Sequence, residues 1–481
     1  MRSSLQNSKC LLNIYNKLVI RKGQHLIGNQ TAIHHSSFIT DHSPIDWNVV
    51  ETEAAQLLSR YIQFDTSNPP GNEALAIEFL DDTLRQRGFA PQIFRSAPNR
   101  ANLVVRLNGQ GDIDCAPCLL YAHADVVPAD PIAWSMPPFE GYVKDDFVWG
   151  RGALDNKGLG IVFMQALTLL RQYASPPKRD IILLIAADEE ASGQYGAVWM
   201  LNHHPHLIQA EYVWDEGGMA LQQANRVLYQ IAIAEKSPLI ITLTAQGTPG
   251  HASIPRKDNP HDRLVEALHR IKQWKHPVRL TPPVIQMLKT LASDQPWPES
   301  FLFSHADRPL WQPLLRHYLK SKPLFSPLIC NTINLTMLQG GHAGNVIPAQ
   351  AQATLDVRLL PGQDLEAFLT ILRAAISDLY LSVEVKDMPP PQISTPTDTH
   401  FYDVLSETLR ELGPPGRVIP YLTPGATDSR FFRAAGMKAY GFMPMLLGNT
   451  ELSRIHGIDE RISTANLRWG TQIVYETLKK L

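Results

Sequence analysis

Long apolar runs are missing from this 481-residue chain. Nothing approaches the roughly 18 consecutive apolar residues of a membrane-spanning helix, so no membrane partner is expected. Cysteine is scarce, at four residues, which excludes a disulfide framework in so long a chain. Cys115 and Cys118 form a CxxC. No second pair exists and the motif runs straight into a strand-like stretch, so a turn is the simpler reading than a redox or zinc site. An excess of one charge sign is lacking too. The formal net charge is −2, with 19% charged residues, which gives no reason to expect nucleic acid or an anionic surface. A secretory signal is not expected either. Residues 1–45 carry Arg2, Lys9, Lys17, Arg21 and Lys22, almost no acids and no sustained apolar core. They read as a disordered extension, and the protein as cytoplasmic, with organellar targeting by this segment left open. The sequons at Asn29 and Asn334 matter only in a secretory pathway.

What is present is a chain of ordinary globular composition, 44% hydrophobic, long enough for two or three folded units. Apolar residues fall at helical spacing over 49–62 and 73–88, and strand-like runs follow at 91–95 and 102–107. Residues 158–173 are apolar almost all round, as in a helix buried against a sheet. Beyond residue 238 the order changes to strand, helix, strand, strand, helix, strand, the split βαβ arrangement. The expectation is an α/β protein: a mixed-sheet catalytic domain formed by 46–237 and 389–481, with a ferredoxin-like lid or dimerisation domain inserted at 238–388. A helical insert over 277–328 interrupts that second domain. It holds Trp297, Phe301, Phe303, Trp311, Tyr318 and Phe325, which either pack on one another or line an apolar pocket.

Three apolar stretches end in metal-binding residue types. Residues 119–122 run into His123 and Asp125, 181–187 into Asp188, Glu189 and Glu190, and 212–214 into Asp215 and Glu216. A fourth group, Asp155, sits in the glycine-rich turn 150–158. Open α/β sheets hold their ligands at strand ends, and so much like charge in one place needs a cation.

These motifs, with His456 far downstream, resemble the dinuclear zinc peptidase family of glutamate carboxypeptidase, aminoacylase-1, acetylornithine deacetylase and succinyl-diaminopimelate desuccinylase. Within that family, the carboxypeptidase S and N-acyl-amino-acid hydrolase branch looks nearest. The resemblance implies two Zn²⁺ per subunit, with Co²⁺ or Mn²⁺ as alternatives. His123 and Asp215 would hold one ion, Glu190 and His456 the other, and Asp155 would bridge them. Glu189 would be the general base and Asp125 would orient His123. His251 and Asn345 would stabilise the oxyanion across a homodimer interface made by the inserted domain. Arg358, and Arg430 less directly, would contact a substrate carboxylate, a bidentate task suited to arginine.

The function expected is hydrolysis of an amide bond next to a free carboxylate, in a small peptide or an N-acyl amino acid. Two alternatives belong to other classes. A catalytically inactive relative would bind such compounds without turnover, and the intact Glu189 argues against it. An aminopeptidase would need acids for a substrate ammonium group, where Arg358 and Arg430 stand instead.

Overall fold

The computed structural model describes residues 44–111, 115–223, 226–377, 380–386 and 388–481. The expected N-terminal extension, residues 1–45, lies almost wholly outside the described residues.

An eight-stranded mixed sheet organises the chain. Its strand order is Gln92–Ala97, Arg100–Leu107, Ile181–Ala186, Cys118–His123, Tyr212–Gln223, Lys438–Leu447, Arg226–Glu235 and Gly416–Thr423. Cys118–His123 lies parallel to both of its neighbours, and every residue of it and of Ile181–Ala186 is buried. Strands covered on both faces lose polar alternation and become continuous apolar runs. Helices Trp47–Ile62, Lys157–Tyr173 and Thr464–Lys480 pack together, and Gly160 of the middle one lies against Ile185 and Ala122. On the other face Leu119, Tyr121, Ile182 and Leu184 meet Ala197, Met200 and Phe432. The parallel register brings His123, the turn after Ala186 and the middle of Tyr212–Gln223 to one edge.

Two strands differ from the expectation. The stretch at 212–214 is the start of a strand that continues to Gln223 and turns back into Arg226–Glu235. Gly416–Thr423 forms an edge of the sheet.

A second sheet has four antiparallel strands in the order Thr332–Gly340, Gln350–Leu359, Ser237–Gln246 and Leu381–Val385. Helices Pro260–Gln273 and Leu365–Ile376 share one core with it, giving the β-α-β-β-α-β order. The insert is helical, with Pro282–Leu291, Glu299–Ser304, Gln312–Lys320 and Ser326–Ile329. Val284, Leu288, Phe303, Leu315 and Leu319 pack on one another and on Ala234, Ile419 and Leu422 of the large sheet. An edge strand presents unpaired backbone groups, and the insert packs against that side.

Lys236 lies where the chain leaves the large sheet for the second one, and it is fully buried. Its ammonium donates to the carbonyls of Pro327 and Cys330, at 3.1 and 3.0 Å, and to Thr332 Oγ1 at 3.0 Å. All three protons therefore have acceptors, and burial lowers the group's pKa to about 8. Lys236→Ala leaves the buried Cys330 carbonyl and the half-buried Pro327 carbonyl without that donor, a loss of roughly 1–3 kcal/mol for an unsatisfied buried polar group. The urea midpoint should fall with an unchanged slope; an unchanged midpoint would show that the lysine does not fasten the insert.

Candidate metal centre

The turn that carries Asp155 is held from the far end of the chain. Glu460 is fully buried, and its carboxylate accepts from the backbone N–H groups of Gly152, Leu154 and Asp155 at 3.2, 2.7 and 3.0 Å. Arg151 Nη1 donates to it at 2.7 Å. Four donors on one carboxylate fix the turn's shape and its charge. Sequence reasoning did not single out Glu460; its only signal is an acid four residues after His456.

Asp155 stands between two imidazoles. Its Oδ1 lies 3.2 Å from His123 Nε2 and its Oδ2 3.0 Å from His456 Nε2. His456 Nε2 is also 3.1 Å from Glu190 Oε2. His123 Nδ1 meets the Asp125 carbonyl oxygen at 2.9 Å. A carbonyl only accepts, so Nδ1 carries a proton, and Nε2 is the nitrogen that faces the acids. The Asp125 side chain accepts from the N–H groups of Glu189 and Glu190, both at 3.1 Å, and from Asn68 Nδ2 at 2.8 Å. It thus sets the position of the paired glutamates as well as lying 3.5 Å from His123 Nδ1. Asn68 also reaches Asp188 at 3.0 Å; nothing in the sequence marks it. Asp188 and His456 both hold positive φ, 70° and 59°, backbone conformations that concentrate at functional sites.

Asp215 does not join this group, and Glu216 does. Successive residues of a strand point to opposite faces. Glu216 Oε1 lies 3.7 Å from His123 Nε2, while Oε2 accepts from Asn156 Nδ2 at 2.5 Å. Asp215 points away: Ser429 Oγ donates to its Oδ2 at 2.7 Å and the Glu216 N–H to its Oδ1 at 2.7 Å. The neighbouring strand crosses against this point, because a Cβ on Gly441 would sit 2.0 Å from the Glu216 carbonyl oxygen.

The electrostatics follow from burial and crowding. Burial and the adjacent charge of Glu216 push the Glu189 carboxyl well above its usual range. Burial, then Asp155, raises Glu190 to about 7 and raises Glu216 as well. Burial alone would lower the His123 pKa, but the hydrogen bonds of Asp125, Asp155 and Glu216 hold it well above normal. Hydrogen bonds from Asp155 and Glu190 raise His456 to about 10.

The donor set fits a divalent metal. Ligand atoms of His123, Glu189 and Glu216 lie within 4.8 Å of one another, as do those of His123, Asp155 and Glu190. Glu190 Oε1 is buried without a hydrogen-bond partner, which costs free energy unless a cation takes it. Imidazole and carboxylate together suit zinc, and carboxylate oxygen also suits manganese.

The family model of peptidase family M20/M25/M40 matches residues 119–480. The chain belongs to this family. Members are metal-dependent, and the chain is a hydrolase of amide bonds. It is 31% identical over 376 residues to the human N-fatty-acyl-amino acid synthase/hydrolase PM20D1, covering 76% of this chain and 74% of that one. Human aminoacylase-1 is 28% identical over 437 residues, with 90% and 96% covered. Among solved structures, the M20 family metallo-carboxypeptidase Sso-CP2 from Sulfolobus solfataricus matches with a TM-score of 0.68 at 20% identity, covering 89% of this chain and 98% of that one. That last likeness shows the fold.

The remaining residues expected at the site of this M20 chain lie elsewhere. His251 and Asn345 are exposed and meet each other's segments: Gly250–His251 pairs with Val346–Ile347, and the Ala252 N–H donates to the Asn345 carbonyl at 2.9 Å. His251 Nδ1 is 2.7 Å from Ser253 Oγ. Arg358 is tied to Asp356 by two bonds, 2.7 and 2.9 Å. Among the described residues no hydrogen bond or ion pair joins these three to the carboxylate group. Arg430 is nearer. It lines a cleft of about 130 Å³ with Ala191, Ser192, Phe431 and Pro238, directly after Glu190, and donates to the Thr427 carbonyl at 2.7 Å.

Proposed function

We propose that the chain hydrolyses the amide bond of an N-acyl amino acid, or of a peptide's C-terminal residue, at a two-metal site. The observation that carries this reading is Asp155, whose two oxygens are divided between His123 and His456. His123 and Glu216 would hold one ion, and Glu190 and His456 the other, with Asp155 shared. Zinc is the metal proposed, with cobalt and manganese as alternatives. Asp215 becomes a support for the Glu216 backbone rather than a ligand. The chemistry such a pair supplies is water activation and carbonyl polarisation.

Glu189 then carries protons. Its Oε2 lies 4.0 Å from His123 Nε2, close to the proposed ligands and outside the ligand set assigned to either ion. Its raised proton affinity suits a group that takes a proton from water and returns it to the leaving amine near neutral pH. Arg430, beside the Glu190 turn, is the first choice for the substrate carboxylate. Arg358 would have to release Asp356 to serve.

The second sheet, with the helices on it, is proposed as the lid and the dimer contact. Thr332–Gly340 is paired on one side only, and Met337 and Leu338 along it are 50% and 60% exposed. His251 and Asn345 are exposed at the short strand pair beside that sheet. This supports their acting in the partner's site to stabilise the oxyanion.

Removal of metal by chelation should abolish hydrolysis, and zinc, cobalt or manganese should restore it. Full activity in a sample shown metal-free by elemental analysis would end the metal reading. Glu216→Gln should lower bound metal and activity together, while Asp215→Asn keeps its metal; the reverse pattern would return Asp215 to the ligand set.

Glu189→Gln should keep its metal and lose about 10²–10⁴-fold in kcat. Retention of more than about a tenth of the wild-type rate would remove Glu189 as the base.

The trans arrangement is tested by mixing inactive His251→Ala and inactive Glu189→Gln chains. Random mixing of dimers should recover about a quarter of wild-type activity, because each mixed pair owns one complete site. No recovery, or an active monomer, would place His251 in its own chain's site.

A further inference from the structure

A layer of buried ions lies behind the carboxylate group, and Arg100 is its centre. The strand Arg100–Leu107 runs antiparallel to Ile181–Ala186, with Leu103 opposite Ile185. Arg100, at the start of that strand, therefore reaches the sheet edge where the 188–190 turn leaves. Its side chain is buried. Nε and Nη2 donate to the two oxygens of Glu73 at 3.0 and 2.8 Å, and Nη2 also donates to Asp188 Oδ1 at 3.0 Å. Nη1 reaches the Pro70 carbonyl at 3.4 Å, and the guanidinium lies 4.9 Å from the centre of the Tyr195 ring. Glu73 is fully buried. The chain bends closely around the group: Gly71 holds a φ of 80°, and a Cβ there would sit 2.4 Å from Arg100 Cζ. Among the described residues, no hydrogen bond or ion pair joins Arg100 to a proposed metal ligand.

Asp188 receives this charge in an unfavourable conformation. Its φ of 70° lies in the left-handed region that residues other than glycine rarely adopt. Such backbone persists only where its surroundings hold it, and here hydrogen bonds do. Oδ1 accepts from Arg100 Nη2 and Asn68 Nδ2, both at 3.0 Å. Oδ2 accepts from Ser192 Oγ at 2.7 Å and from the Tyr195 N–H at 3.2 Å. The Asp188 carbonyl accepts from the N–H groups of Ser192 and Gly193 at 3.1 and 2.6 Å. Of these donors Arg100 alone is charged, which makes its bond the strongest of the set. Glu189 and Glu190 follow directly, so the angle at which the chain leaves Asp188 sets where both carboxylates begin. A lysine would carry the charge without the planar fork that spans both acids.

We propose that Arg100 is a positioning residue for the hydrolysis. It locks Asp188 in its left-handed conformation and thereby fixes the direction in which Glu189 and Glu190 enter the site. The inference rests on the function proposed above.

The test compares Arg100→Lys, Asp188→Gly and Glu73→Gln in cobalt-loaded enzyme. Glycine adopts a positive φ at no steric cost, so Asp188→Gly keeps the turn accessible if Arg100→Lys does not fold, and it lacks the carboxylate that Arg100 holds. Arg100→Lys and Asp188→Gly should each lower kcat by about 10–100-fold, with KM changed by less than about twofold. Both should also shift the visible cobalt bands, which report the surroundings of Glu190. Glu73→Gln leaves the bond between Arg100 and Asp188, and should lower the melting temperature while keeping kcat and the bands. Arg100→Lys and Asp188→Gly chains that melt lower but keep the wild-type kcat and bands would make the layer a support of the fold alone and overturn the proposal. An equal loss of kcat in Glu73→Gln, or a rise in KM alone, would overturn it too. A wild-type chain that takes up cobalt yet turns over no N-acyl amino acid or peptide would end the function proposed above, and the bands would then decide the role of Arg100 by themselves. A wild-type chain that takes up no cobalt would overturn both.

Discussion

Carboxylates packed into a dry site repel one another, and the chain has gathered Asp125, Asp155, Glu189, Glu190 and Glu216 around one buried histidine. The cations nearby are already engaged. Arg151 is bound to Glu460, Arg100 to Glu73 and Asp188, and Lys157 to the carbonyls of Tyr61 and Phe64. Balance must therefore come from protons or from metal. Burial of like charges favours proton uptake, which is why Glu189 and Glu190 hold protons so far above the usual carboxylate range. The proposed divalent pair would remove the same repulsion and leave Glu189 available for the acid–base work proposed for it.

The rest of the molecule keeps those acids in place against their own repulsion. The strand ends present His123 and the 188–190 turn side by side. Asp125 then ties the two together through backbone N–H groups. The tail of the chain supplies what the sheet cannot. Glu460 shapes the Asp155 turn, Ser429 holds Asp215, and His456 closes the far side. Asp428 accepts a hydrogen bond from Tyr121 on the central strand, so the last 55 or so residues are stitched into the site at several points rather than one.

The insert adds a constraint of another kind. Its core includes strands of the large sheet, while Lys236 binds its last turn to the connection between the two sheets. Any movement of the second sheet must bend that connection with the insert attached. Relative motion of packed units is the ordinary expectation where few contacts cross; here the contacts are apolar and continuous.

Much of this was legible in the sequence because periodicity is local. Buried parallel strands are apolar throughout, so 119–122 and 181–187 stand out, and acids or histidine after them mark the sheet edge. His123, Asp125, Asp155, Glu189, Glu190 and His456 are all found together there. The strand that begins at Tyr212 runs past the apolar stretch 212–214 to Gln223. Its Asp-Glu-Gly-Gly breaks the apolar run, yet the glycines belong to the strand: a Cβ on Gly218 would lie 1.9 Å from the Gln230 carbonyl oxygen. With the strand continuing, alternation decides between the paired acids, and it selects Glu216. The sequence by itself determined the fold class and the types of residue at the strand ends, since both follow from short-range pattern. Only the tertiary structure decided which of two adjacent acids faces the histidine, and that Glu460 and Asn68 hold the site. Those depend on which residues distant in the chain meet, and no local spacing encodes that.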